Sequence, residues 1–189
     1  MAESKVKAGL REGDAFKSFL SKQLKLASLS DKTIESILEN LDEWKRCFTH
    51  KSFDPVANYE TFEFYGDKIV SSSAANYIKL VYGDKISTPV WLTKIYHHII
   101  SSRILAQVGM DRGFEEFIRF DEGKFRAEMT EKKVPSYVNL RSYKGYKSMV
   151  EDVIESWITE RNHREEIFSG SVHGNMHANY FSLLSRCKD

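Results

Sequence analysis

Apolar residues recur at intervals of three and four along nearly the whole chain, the period of helices that bury one face. Asp14 is placed to cap a segment carrying Phe16, Phe19, Leu20 and Leu24. Ser30 is placed to cap a second one carrying Ile34, Ile37, Leu38 and Leu41. The stretch SFDPVAN reads as a turn, and a long helix follows it to about Tyr82, closing on Gly83. Thr88 followed by Pro89 supplies a capping hydroxyl and a first-turn proline. From there one apolar stripe runs through Leu92, Ile95 and Ile99 to Leu105 and Val108. Val150, Val153, Ile154, Trp157 and Ile158 mark the buried face of a late helix. SGSVHGN then reads as a connector to a last short helix from about Met176 to Cys187. Strand-like alternation never lasts more than a few residues, so the expected class is all-α.

The segment YETFEFYGDKIV interrupts this pattern with Glu60, Glu63 and Asp67, and puts Gly66 inside a helix. On a helix, residues four apart are separated by about 40° of rotation and 6 Å of rise, so these acids share one stripe. Phe62, Tyr65 and Ile69 are expected on another stripe, toward the core. Asp152 and Glu155 pair up in the same way on the late helix, facing away from its apolar side. Acids on a helix usually face water, and spacing alone says only that a metal site is possible. Where the two helices cross at those pairs, the carboxylates converge and demand protonation or a cation. Oxygen ligands alone favour Mg2+ or Mn2+ over zinc, and a cation held this way is standard equipment for cutting phosphodiesters. Gly66 costs about 1 kcal/mol relative to alanine in a helix interior. The return expected is close approach of another helix or of a substrate backbone.

Composition narrows the class. The chain has 189 residues, 41% hydrophobic and 29% charged, enough for one domain with a real core. No apolar run suffices to span a bilayer, and the N-terminus lacks the apolar core of a signal peptide. Cys47 and Cys187 offer no disulfide framework. An intracellular location, cytoplasmic or organellar, is therefore expected. The net charge of +1 argues against a strongly basic module that binds nucleic acid by charge alone. The stretch from Lys124 to Lys147 is locally basic, however, with Phe125, Tyr137, Tyr143 and Tyr146 interleaved. It reads either as a strip that follows a phosphate backbone and stacks on bases or as a solvated loop.

ETFEFYGDKIV resembles the signature helix of the ribonuclease III endonucleases, written E-R-L-E-F-L-G-D followed by aliphatic residues. Upstream, CFTHKSF resembles that family's A-F-T-H-[RK]-S-[FY]. Downstream, LTKIYHHIISSRILAQVGMDRGFEEFIRF is similar to its segment ending in S-N-x-x-L-A and G-L-x-x-Y-I-R. KSMVEDVIESWI is similar to its second acidic helix. Four blocks in the family's order cover about residues 35 to 160.

The resemblance implies an all-helical, dimer-forming endonuclease domain over 31–189 (core about 35–162, connector and last helix 163–189), preceded by a helical extension, 1–30. It implies a Mg2+ site, with Mn2+ as a substitute, held by Glu63, Asp67, Asp152 and Glu155, and Glu155 central to metal binding. The implied activity is cleavage of double-stranded RNA by a homodimer through metal-activated water, giving 5′-phosphates and short 3′ overhangs. Glu60, Lys144 and Lys147 fall where RNA positioning or dimer contact is implied.

Three departures stand out. STPVW lacks the acid many members carry before the leucine matching Leu92. Glu151 replaces an alanine, as an extra acid that competes for metal or faces water. The double-stranded-RNA-binding domain that many members append is not seen after residue 160.

Other candidates are weaker. His173 and His177 have metal-ligand spacing, but Gly174 and Asn175 between them disfavour a helix. His97 and His98 are adjacent and point to different sides. His50 is expected to serve packing or capping. Two other functions compete with the nuclease: a catalytically silent relative that binds RNA or scaffolds an assembly, and an all-α nucleotide pyrophosphohydrolase. The second lacks the FTHKSF and FEFYGD blocks, and all four acids are present against the first.

Overall fold

The computed structural model describes residues 13–26, 29–83, 88–133 and 144–169. The expected last helix, His173, His177, Cys187, Tyr137 and Tyr143 lie outside those residues. The described chain is all-α: α1 Asp14–Lys25, α2 Asp31–Ile37, α3 Asp42–Cys47, α4 Glu60–Tyr82, α5 Pro89–Ile99, α6 Ser102–Asp111, α7 Glu122–Glu131 and α8 Lys144–Ser169. A single 3-10 turn, Phe114–Glu116, separates α6 from α7. Among the described residues the only β-type pairing is an isolated bridge between Thr49 and Arg119.

Helix α8 is the axis of the molecule, because it packs on α3, α4 and α6 at once. Its predicted apolar face is fully used: Val150, Val153, Ile154, Trp157 and Ile158 are all buried. Close approach depends on α6 as well as α4. A Cβ added at Gly109 of α6 would meet the side chains of Ile154 and Val150 at 2.6 Å, so glycine there lets α6 lie on α8. At the other end of the core, Phe16 and Phe19 of α1 join Phe48, Phe114 and Phe117. Phe19 stacks on Phe117 at 4.4 Å, and Phe114 meets Trp157 edge-on, the offset and edge geometries that aromatic rings prefer.

Several local expectations need correction. Ser30 caps α2 through Thr33 N–H, but Asp14 begins α1 as its first residue, with Gly13 at the cap position. The second helix stops at Ile37, and Leu41 instead leads into α3. Gly83 keeps right-handed helical angles rather than the left-handed ones of a glycine cap. Thr88 makes no side-chain cap, although Pro89 does open α5. The stripe from Leu92 to Val108 is broken at Ile100–Ser101, where Ser101 turns extended and its hydroxyl donates to the His98 carbonyl.

The basic stretch starts as a helix. Asp121 caps α7 by accepting from Lys124 N–H, and Arg126–Glu122 and Lys132–Glu128 pairs brace its outer face at i,i+4. Phe125 and Met129 are buried in the core, as is Tyr146 in the first turn of α8. Phe125 and Tyr146 are therefore structural and present no stacking platform for bases.

Candidate metal centre

The site lies where the first turns of α4 cross the middle of α8. Gly66 has no side chain to hold the helices apart: a Cβ there would stand 2.0 Å from the Glu155 carbonyl oxygen. The close approach expected of Gly66 is thus made by α8 itself. Hydroxyls fasten the crossing. Thr159 Oγ1 donates to the Phe62 carbonyl at 2.6 Å, and Ser156 Oγ lies within hydrogen-bond reach of the carbonyls of Tyr59 and Asp152. Cys47 Sγ donates to the Ser156 carbonyl from the far side. Tyr59 is held in turn by its own N–H on the Thr49 carbonyl.

The crossing brings Glu63, Asp152 and Glu155 together, one carboxylate oxygen of each within 4.8 Å of the others. Oxygens around one octahedral Mg2+ stand roughly 3–4 Å apart, so a modest contraction suffices to share a cation. Glu155 is 6% exposed, and its carboxylate has no hydrogen-bond partner among the described residues. Burial, then the nearby Glu151, Asp67, Asp152 and Glu63, push its pKa up to about 9. Burial and Glu63 raise Asp152 to about 6 against the stabilising hydrogen bond from Tyr59. Glu63 is raised by burial, then by Asp67 and Glu60. A buried acid without a donor, ringed by other acids, is the environment a hard cation relieves. The donor set is oxygen only, which fits Mg2+ or Mn2+.

The remaining predicted residues lie outside this group of three. Asp67 is turned toward Lys68, Oδ2 to Nζ 2.5 Å, and is not one of the three. Glu60 is exposed and pairs with Lys51 at 2.7 Å. Lys144 is exposed in the first turn of α8 and Lys147 is half-buried one turn on. Tyr65, expected toward the core, is 56% exposed, whereas Phe62 and Ile69 pack against the core. Glu155, expected to face away from the apolar side, is buried against α4. Glu151 does not face water: it is half-buried, bonded to the Ser102 side chain, and raised to about 7, chiefly by burial.

Tyr59 was not anticipated. Its hydroxyl donates to Asp152 Oδ2 at 2.9 Å, and burial with the Asp152 charge pushes its own pKa far up. The available signal was a tyrosine one turn before Glu63, whose hydroxyl must find a partner once buried.

No protein-family model matches the chain. A ribonuclease 3 from Lactococcus lactis subsp. cremoris is 31% identical over 94 residues, 47% of this chain and 40% of that protein. Another from the same subspecies is 33% identical over 86 residues, 42% of this chain and 36% of that one. The matches thus span well under half the length of these curated relatives. Among solved structures, the nuclease domain of ribonuclease III from Campylobacter jejuni superposes with a TM-score of 0.61 at 14% identity, covering 90% of this chain and 97% of that domain. A second structure of that domain, described as flexible in a region involved in dimer formation, gives 0.59 at 16% identity, covering 82% and 96%. The partial sequence matches and the shared fold agree: the chain is similar to ribonuclease 3 proteins over part of its length and has the fold of a ribonuclease III nuclease domain.

Proposed function

We propose that this protein is a Mg2+-dependent endoribonuclease that cuts double-stranded RNA as a homodimer, with Mn2+ able to substitute. The observation that carries this reading is the buried, unpartnered Glu155 beside Glu63 and Asp152, on a fold shared with ribonuclease III nuclease domains. A divalent cation, when bound, would polarise the phosphate and activate water for attack on it. Glu63, Asp152 and Glu155 hold that cation, and Asp67 completes the set by releasing Lys68. Tyr59 keeps one Asp152 oxygen occupied, so that its orientation is fixed before substrate arrives. Lys144 and Lys147, at the head of α8, contact the phosphate backbone. Glu60 is linked through Lys51 to the rim of the site. The endonuclease unit is residues 31–189, with α1 packed into its core.

The dimer reading draws on exposed apolar surface. Phe64 is 58% exposed and Tyr65 56%, both on the α4 turn that carries Glu63, and α5 has no buried residue at all. Such a face beside a site is the kind of surface that a partner covers.

Incubating long double-stranded RNA with the protein and Mg2+ tests the function. The expected products carry 5′-phosphates and short 3′ overhangs, and are absent with Glu155→Gln. Retained duplex binding without any cutting would select the silent, RNA-binding alternative.

A further inference from the structure

Beside the acid cluster lies a pocket of about 410 Å³ that shares Glu63 and Asp152 with it, a volume in the range of small-ligand sites. His50 forms part of its wall, between the rings of Tyr59 and Phe125 at 5.6 and 5.0 Å. The hydrogen bonds around the imidazole fix its tautomer. Ser52 N–H donates to Nδ1 at 3.0 Å. Ser52 Oγ, 2.8 Å from Nδ1, accepts from Asp121 N–H and so directs its own proton at the ring. Nδ1 is therefore the unprotonated nitrogen, and Nε2 carries the hydrogen. Nε2 is neither a buried orphan nor bonded to any described residue, so the half-buried ring that helps line this pocket carries a fixed N–H donor without a protein partner.

The charge of the walls says what this donor meets. Glu60, Glu63, Glu128 and Asp152 line the pocket against Lys51 and Lys132. Lys51 is paired with Glu60, and Lys132 with Glu128. Burial and Lys51 also hold His50 neutral, its pKa lowered to about 4. Such a pocket repels a further phosphate. It suits a neutral group rich in hydroxyls, to which carboxylates and one N–H offer complementary partners. On a polynucleotide that group is the ribose, and its 2′-hydroxyl is what separates RNA from DNA.

We infer that this pocket seats a ribose next to the cleaved bond, with His50 Nε2–H donating to its 2′-oxygen, so that His50 contributes to selecting RNA over DNA. The assignment rests on the nuclease reading above. Ser52 acts through His50 as a positioning residue, since its two bonds to Nδ1 set which nitrogen faces the substrate.

The test uses the full chain and one duplex RNA whose cleaved bond has first been mapped. Single 2′-deoxy nucleotides are then walked through the positions flanking that bond. For the wild type, one position should lose about tenfold in kcat/KM, the value of one hydrogen bond of this kind. His50→Ala should be about tenfold slower on all-ribose RNA and pay no further penalty at that same position. His50→Gln, which retains a side-chain N–H, should recover part of the loss. Independent losses for the variant and the deoxy substitution, or no position-specific penalty in the wild type, would overturn the assignment. If His50→Ala fails to fold, His50→Gln carries the test: a reduced penalty at that one position supports the assignment, and an undiminished one overturns it. Cleavage without 2′ coupling would remove only the ribose assignment, whereas no cleavage of any duplex would remove the nuclease reading with it.

Discussion

Gly66 of α4 touches the backbone of α8 at Glu155, where even one added carbon would stand 2.0 Å from the Glu155 carbonyl oxygen. The obstacle is backbone rather than a flexible side chain, so Gly66→Ala must push the helices apart. Overpacking of this kind costs about 3 kcal/mol at its upper end, and for a chain of this size that lowers Tm by roughly 6–12 °C. Thermal unfolding followed by circular dichroism measures it. A Tm within 2 °C of wild type would mean the helices have room that the structure denies them.

The carboxylates make stability depend on pH. Glu155 has an ordinary value of 4.5 and about 9 in the fold, and Asp152 moves from 3.8 to about 6. Between those limits the folded protein holds more protons than the unfolded chain, so stability falls as pH rises. Without divalent cations, Tm should therefore decline from about pH 5 toward pH 9, and Glu155→Gln should flatten the decline. Saturating Mg2+ should flatten it too, because a bound cation favours the deprotonated carboxylates. A wild-type Tm that climbs over this range would contradict the arrangement.

Tyr59 bonds Asp152, one of the three converging carboxylates, without belonging to that group itself. Tyr59→Phe keeps the ring and removes the donor. The loss of such a supporting bond typically weakens metal affinity about tenfold or more. Calorimetric titration with Mn2+ should report that change with little loss of helix content. Equal affinities would show that Asp152 needs no help from Tyr59.

Phe64 tests the dimer. Placing an aspartate at this exposed position should leave the fold intact and shift the sedimentation coefficient from dimer to monomer. An unchanged assembly state would move the interface away from the α4 face.

The class and the site helices were legible because they rest on strong, local signals. The i, i+3, i+4 face of Val150 to Ile158 survives intact, and α4 occupies the span read from the sequence. Helix α7 was hidden because only Phe125 and Met129 face inward, and its basic residues, paired with glutamates in space, read as a free surface. The break at Ser101 was hidden because the apolar period continues across it. At the site, sequence spacing placed acids on two helices but could not show which would meet. Asp67 went to Lys68, a neighbour that spacing arguments ignore. Tyr59 and Glu151 acquired partners, Asp152 and Ser102, from distant segments. His50 looked like a packing residue until its bonds to Ser52 showed which nitrogen was free.

Direct titration of the wild type and Glu155→Gln with Mn2+, followed by calorimetry at pH 7.5, tests the metal centre most closely. The wild type should bind with release of protons, because carboxylates that hold them in the free protein must give them up. Glu155→Gln should remain folded, bind far more weakly and release fewer protons. Equal binding by both proteins, or none by the wild type, would contradict a cation site built on Glu63, Asp152 and Glu155.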